Sequence, residues 1–371
     1  MMPTILPSIA SAARTRRSPG VTVKAIAAAT VAGATASVLI LGAAPRAHAF
    51  GTVGHLAEHE RITRAALGCD SGVGADCFQP RSLDQVAGKK GTFGAVGSPD
   101  NPLTREILTS AAHCDNADYV AGPQYRPQDR ERATAALLDC VNYARARIRA
   151  AVRRAADLLD GQGRIKPGEV SLNRSLFPPH PADCFFNRVA GRAKCDVIEE
   201  FGRALHAVQD FYSHSNWSDE AAPGPADVHN PPGGRQSAIN PLFALFGPEP
   251  TATQVPGWLS TGCFDAKAAV TGERAGCTDG GRTRLKHAWL NKDHGVIDPR
   301  TGATTCTEGN KNVCTPRGQV DDNFSHAVRL AIADTRRQWS DFATAVRQAY
   351  PGRGDRIVCA LTHDDPTKTC P

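Results

Sequence analysis

The stretch Leu205-His206-Ala-Val-Gln-Asp210-Phe-Tyr-Ser-His214-Ser-Asn-Trp217 concentrates side chains that bind metals. His206, Asp210 and His214 follow one another at intervals of four residues. On a helix, four residues turn the chain by about 400°, so each step drifts only about 40° around the axis. Two imidazoles then flank one carboxylate on a single face. Neutral imidazole nitrogen and ionised carboxylate oxygen are usual zinc ligands. A zinc ion so held can polarise an oxygen and activate water. The competing reading is a buried polar face in which each histidine is satisfied by a neighbour. Three ligand-type residues in register favour the metal.

The elements that must carry these groups read as helices. The run Val197-Ile-Glu-Glu-Phe201-Gly-Arg-Ala-Leu205 is apolar-periodic and free of proline, and leads straight into the histidine stretch. Residues 129–159 form a long amphipathic pattern with Leu137, Leu138, Val141, Ile148, Val152 and Leu158, whose arginines (Arg145, Arg147, Arg149, Arg153, Arg154) read as a solvated face. A final helix is expected over 321–350, opening near Asp322 and carrying His326, Leu330, Ile332, Trp339, Phe342 and Val346. A shorter one is expected over 103–112, with Asp100 as its capping residue and His113 at its end. His113 and Asp118 are equally compatible with ordinary helix-end and turn roles. Residues 69–95 and 161–182 read as loops. The Pro- and Gly-rich stretch 218–284 reads as an irregular insertion, either a substrate-binding rim or a stapled excursion. No strand-alternating run, internal repeat or nucleotide-binding glycine loop is present, so the expected fold class is all-α.

The N-terminus reads as an address. Arg14, Arg16, Arg17 and Lys24 form a basic region, an alanine-rich apolar run covers 25–44, and Ala47-His48-Ala49 makes a cleavage signature. An uncleaved anchor is the alternative, but the run is only weakly hydrophobic, so 1–49 is expected to be a signal peptide and the protein to be secreted. Removing that segment takes away five Lys or Arg and no acid, so the net charge of +6 becomes 6 − 5 = +1. That balance gives no support to a polyanion-binding surface. All twelve cysteines fall after the cleavage site, as near neighbours in sequence. An even count in an exported chain implies disulfides, and sequential pairing is the simplest arrangement. A cysteine-rich zinc site is disfavoured by the lack of any C-x-x-C pair.

Cleavage would leave Phe50 first, in Phe50-Gly-Thr-Val-Gly-His55-Leu-Ala-Glu-His59. A helix pattern begins at about Val53 and sets His55 and His59 four residues apart. A free α-amine has a pKa near 8, and a metal can hold it deprotonated. Cleavage would then itself complete a metal site; the alternative is a frayed terminus.

These residues together resemble the zinc-dependent phospholipase C and single-strand nuclease superfamily. The likeness covers the mature N-terminus, the 100–113 segment and 206–217, about a third of the chain. The 206–217 motif also resembles the Het-C group of fungal incompatibility proteins. The resemblance implies one domain over 50–371, a phospholipase C/nuclease-type helical bundle, and up to three zinc ions. Phe50 matches the family's terminal ligand, usually Trp. His59-Glu-Arg-Ile-Thr-Arg-Ala-Ala is similar to the phospholipase motif around its first histidine ligand, and Phe50-Gly-Thr-Val-Gly-His55 to the nuclease opening; His59 is the preferred ligand of the two. Asp100 and His113 resemble the family's Asp and His pair. His206 and Asp210 match its His-x-x-x-Asp, in which the Asp bridges two metals. His214 matches the next histidine at a shorter spacing. The last pair departs from the pattern. His287 is followed at i+4 by Asn291 and then by Asp293, and His326 by Leu330. His287 with Asp293 is the preferred pair, and His294 and His326 stay open. The implied activity is an exported zinc phosphodiesterase of the phospholipase C kind, with Asp100 as ligand and catalytic base. Its partners would be a phospholipid or other phosphodiester substrate and, transiently, a membrane surface, with no stable nucleic-acid partner. The alternatives are a single-strand nuclease or nucleotidase of the same fold, a non-catalytic Het-C-like secreted interaction protein, and a disulfide-rich helical protein without metal.

Overall fold

One helix, Ala193–His214, is buried along almost its whole length. A helix apolar or buried on every side belongs at the centre of a bundle, and other described helices pack against it. The computed structural model describes residues 51–371 except 53–55, 73, 75, 90, 105, 122–124, 126, 173–183, 188–190 and 273. The expected signal peptide, Phe50 and His55 lie outside the described residues.

In chain order the helices are α1 (Glu58–Leu67), α2 (Pro80–Ala87), α3 (Ser110–His113), α4 (Arg130–Arg154), α5 (Pro167–Val170), α6 (Ala193–His214), α7 (Ala266–Thr271), α8 (Asn323–Ala349), α9 (Gly354–Thr362) and α10 (Pro366–Thr369). The strands described are three antiparallel pairs with two residues in each strand, and about half of the described residues are helical. Helix α6 packs against α4, α8, α3 and α2. Its Phe201 and Phe211 meet Trp339 and Phe342 of α8 and Phe243 of the 218–284 stretch. Gly202 is required where α6 meets the segment leading to Asp100, because a Cβ there would lie 2.5 Å from the carbonyl carbon of Ala95. Among the described residues no helix is long and apolar enough to cross a membrane.

Six disulfides join the cysteines in sequential pairs: Cys69–Cys77, Cys114–Cys140, Cys184–Cys195, Cys263–Cys277, Cys306–Cys314 and Cys359–Cys370. Such a set is compatible with an extracellular protein.

Several local expectations are corrected. Residues 103–112 are not one helix. Tight turns run over Ser98–Asp100, Pro102–Thr104 and Glu106–Leu108 before the single turn of α3. Pro99 and Pro102 withhold backbone donors, and the Thr104 hydroxyl donates to the Ser98 and Asn101 carbonyls instead. Asp100 therefore caps nothing; its Oδ2 accepts from the Thr52 hydroxyl at 3.0 Å. Helix α1 starts at Glu58 rather than near Val53, since Ala57 takes a left-handed conformation, φ 43°. Arg145 is not solvated. It is buried and donates to the Ala244 and Gly247 carbonyls. The 218–284 stretch is no mere excursion, because Leu242, Phe243 and Leu245 sit in the main core. The stretches 69–95 and 161–182, expected to be loops, hold helices α2 and α5, and α7, α9 and α10 also lie outside the expected helices.

Candidate metal centre

The last three turns of α6 carry His206, Asp210 and His214, and each is at most 1 % exposed. Around Asp210 four elements converge. Its Oδ2 lies 2.9 Å from His206 Nε2 and 3.0 Å from His113 Nδ1. Those two ring nitrogens are themselves 3.0 Å apart, and each is 3.7 Å from Asp100 Oδ1. With bonds of about 2.0–2.1 Å, a tetrahedral metal keeps its ligand atoms about 3.3–3.4 Å apart. The set Asp100, His113, His206 and Asp210 is therefore spaced as a ligand shell.

The other oxygen of Asp210, Oδ1, lies 3.0 Å from His59 Nε2 on α1 and 3.9 Å from His214 Nε2. One carboxylate is thus shared by neighbouring ligand groups. Beyond it, His214 Nε2 lies 3.4 Å from Asp293 Oδ1, and His287 Nε2 lies 3.6 Å from Asp293 Oδ2. Asp115, His214 and His287 also bring ligand atoms within 4.8 Å of one another, as do His59, His206 and Asp210.

The neighbours of these rings set which nitrogen is bare. Gln209 donates its amide to the Thr63 and Thr335 hydroxyls, so its Oε1 is left to accept from His59 Nδ1 at 2.7 Å. That leaves the lone pair of His59 Nε2 facing Asp210. His113 Nε2 donates to the Glu106 carbonyl at 3.3 Å, which leaves Nδ1 bare. His214 Nδ1 donates to the His113 carbonyl at 2.8 Å, which leaves Nε2 bare. Fixing a ligand histidine through its second nitrogen is how metal sites orient their rings.

Electrostatics point the same way. Among the described residues, no Lys or Arg forms an ion pair with Asp100, Asp115, Asp210 or Asp293; all their partners are imidazoles. Burial would raise the Asp210 carboxyl, but His206, His214, His59 and His113 hold it well below its ordinary range. Burial lowers His214, yet Asp210, Asp115 and Asp293 carry it well above the ordinary imidazole value. His59 and His113 move the same way against burial, through Asp210 and Asp100. For His206 burial wins and its pKa falls. Asp210 Oδ1, Asp115 Oδ1, Asp293 Oδ2 and His214 Nε2 are all buried and make no well-directed hydrogen bond; Asp210 Oδ1 and Asp115 Oδ1 face imidazole nitrogens at 3.0 and 3.1 Å. Buried polar atoms are ordinarily satisfied, and multivalent cations bound among them would satisfy these. The donor set of imidazole and carboxylate thus fits a metal.

Of the expected ligands, the structure brings together His59, Asp100, His113, His206, Asp210, His214, His287 and Asp293. Asn291 stands 3.3 Å from the Nδ1 side of His287. His326 is half-buried in the first turn of α8, and His294 is near Glu58 at 3.9 Å. Asp118, left open between roles, pairs with Arg284 and Tyr125. Asp115 was missed. Its only sequence signal is its place two residues after His113, and Cys114 between them adopts φ 53°, which reverses the chain. The Cys359, His363 and Cys370 group is not a metal site, because both sulfurs are spent in a disulfide.

A narrow cleft with a cavity volume of about 20 Å³ reaches the centre and is lined by Asp100, Ile107, His113, Asp115, His214, Phe264 and His287. Gly262 packs against the backbone of His287, one of the lining residues. A Cβ there would lie 2.4 Å from the Cα of His287. Compared with protein families, curated proteins and solved structures, the chain matches none.

Proposed function

We propose that this protein is an exported, zinc-dependent phosphodiester hydrolase of the phospholipase C kind. The observation that carries the reading is the shared carboxylate of Asp210, with ligand-spaced imidazoles and carboxylates on both of its oxygens. Zinc bound there would supply Lewis-acid polarisation of a phosphoryl oxygen and would acidify a water molecule. The protein's own residues divide the remaining work. Asp210 is sealed behind the cleft and holds the ligand groups at a set separation. Asp100 lines the cleft, with Oδ2 anchored by Thr52 and Oδ1 turned to the imidazoles. It is the candidate to take a proton from water. Asp115 lines the same cleft and is a second candidate base.

The walls bear on the substrate. Ile107 and Phe264 are apolar, and among the described residues no Lys or Arg lines the cleft. A polyanion would want a track of cations. A single phosphodiester with an apolar or zwitterionic body suits these walls better, which supports phospholipid over single-stranded nucleic acid. The likeness of His59-Glu-Arg-Ile and of the 206–217 motif to the zinc phospholipase and nuclease superfamily supports the same choice.

The test is zinc per chain in the secreted protein, with its N-terminus sequenced, followed by assays on phosphatidylcholine and single-stranded DNA. More than one zinc per chain and phosphatidylcholine cleavage abolished in Asp210→Asn are expected. A folded wild type that binds zinc but cleaves neither substrate would instead make this a metal-stabilised interaction protein.

A further inference from the structure

Lys292 is fully buried and is not one of the ligands. A buried ammonium persists only where its charge is paired and its protons are accepted. Its Nζ meets Asp219 Oδ1 at 2.9 Å and donates to the Ser215 carbonyl at 2.5 Å. Asp219 is held on its other oxygen by Arg317 Nε at 2.9 Å, and Arg317 also donates to the Pro231 carbonyl. At the other end of the residue, the Lys292 backbone N–H donates to the carbonyl and hydroxyl of Ser213, both at 3.2 Å. The Ser213 hydroxyl in turn donates to Asp293 Oδ1 at 2.5 Å. Lys292 therefore grips the residues on either side of His214, while the next residue along its own chain is Asp293.

We propose that Lys292, held by Asp219 and Arg317, is a positioning residue that fixes His214 and Asp293 relative to one another and so preforms the His214–His287–Asp293 half of the metal centre. The inference rests on the metal-centre reading above. It predicts that this half is weakened selectively when the clamp is removed, with Asp100, His113, His206 and Asp210 left in place.

The test uses cobalt(II) as the probe on the secreted protein. Cobalt per chain, cobalt affinity, the visible absorption of the bound ion and thermal unfolding are measured for wild type, Lys292→Met and Lys194→Met. Lys194 is an equally buried lysine on α6, with its ammonium on Ser82 and the His363 carbonyl. It stands twenty residues before His214, about 30 Å along the helix. Lys292→Met is expected to weaken one class of cobalt site ~10–100-fold, with the corresponding part of the spectrum lost and the other class unchanged. Lys194→Met is expected to lower the unfolding temperature while keeping wild-type cobalt binding. If Lys292→Met does not fold, Asp219→Asn, which removes the carboxylate that pairs with the Lys292 ammonium at nearly unchanged volume, must still weaken one class without the other. Wild-type cobalt binding in the folded clamp variants, or equal weakening of every site, would overturn the inference alone. A wild type that binds no cobalt would overturn the metal reading and the inference with it.

Discussion

Chelation should reverse the sign of the pH dependence of stability. In the metal-free protein, His59, His113 and His214 have pKa values raised above the ordinary imidazole value, with the acids around them outweighing burial. A group whose pKa is raised by folding contributes stability that is complete below its unfolded pKa, about 6.5. That contribution is lost as pH rises through the folded value. Each proton so retained tilts stability by about 1.4 kcal/mol per pH unit, and three would give a limit of about 4 kcal/mol per unit. His206 is lowered by burial, so its effect falls below pH 6.5, where stability drops with acid. Asp210 and Asp293 are depressed; their contribution is present above about pH 4 and is lost only in stronger acid. Lys194, lowered by burial to about 7, and Lys292, also lowered by burial, oppose this trend above their folded values, each by up to about 1.4 kcal/mol per pH unit, so the metal-free protein should weaken from pH 6.5 toward 8.5 with a slope well below the three-proton limit. The zinc-loaded protein should do the opposite, because the metal needs bare imidazoles. At free zinc 100-fold above its dissociation constant, each site adds about 2.7 kcal/mol. Urea unfolding of chelated and zinc-loaded samples across this range measures both slopes. A chelated protein whose stability is flat or rising from pH 6.5 to 8.5, or one that zinc does not stabilise, would refute the reasoning.

Gly262→Ala should force the His287 backbone away from a Cβ placed 2.4 Å from its Cα; a cost of about 1–3 kcal/mol and loss of zinc from one site are expected by denaturation and metal analysis. Gln209→Leu removes the acceptor that sets the His59 tautomer, and zinc titration should show ~10–100-fold weaker binding. Replacing Cys114 and Cys140 together by Ala opens a loop of sequence separation 26 that flanks His113 and Asp115. Chain entropy puts the loss at about 3.5 kcal/mol, read as a lower urea midpoint together with weaker zinc retention.

Part of this molecule is legible in its sequence because the physics there is local. The period of α6 puts His206, Asp210 and His214 on one stripe whatever surrounds it, and α4 and α8 announce themselves by apolar spacing over many turns. Near-neighbour cysteines paired as their spacing suggested. What failed was decided by contacts distant in sequence. Asp100 resembles a helix cap by its local neighbours, but Thr52 and the rings of α6 and α3 claim its two oxygens. Arg145 belongs to an arginine-rich face by pattern, yet carbonyls a hundred residues away bury it. Asp115 had no periodicity to reveal it, since its orientation follows from the reversed backbone at Cys114. The sequence alone therefore determined which kinds of ligand this chain offers and the helix that presents three of them, because helical geometry is set by the backbone. Only the tertiary structure decided that His59, Asp100, His113, Asp115, His287 and Asp293 join them. Those residues lie on loops and separate helices, and their meeting brings backbones into close approach at Gly202 and Gly262.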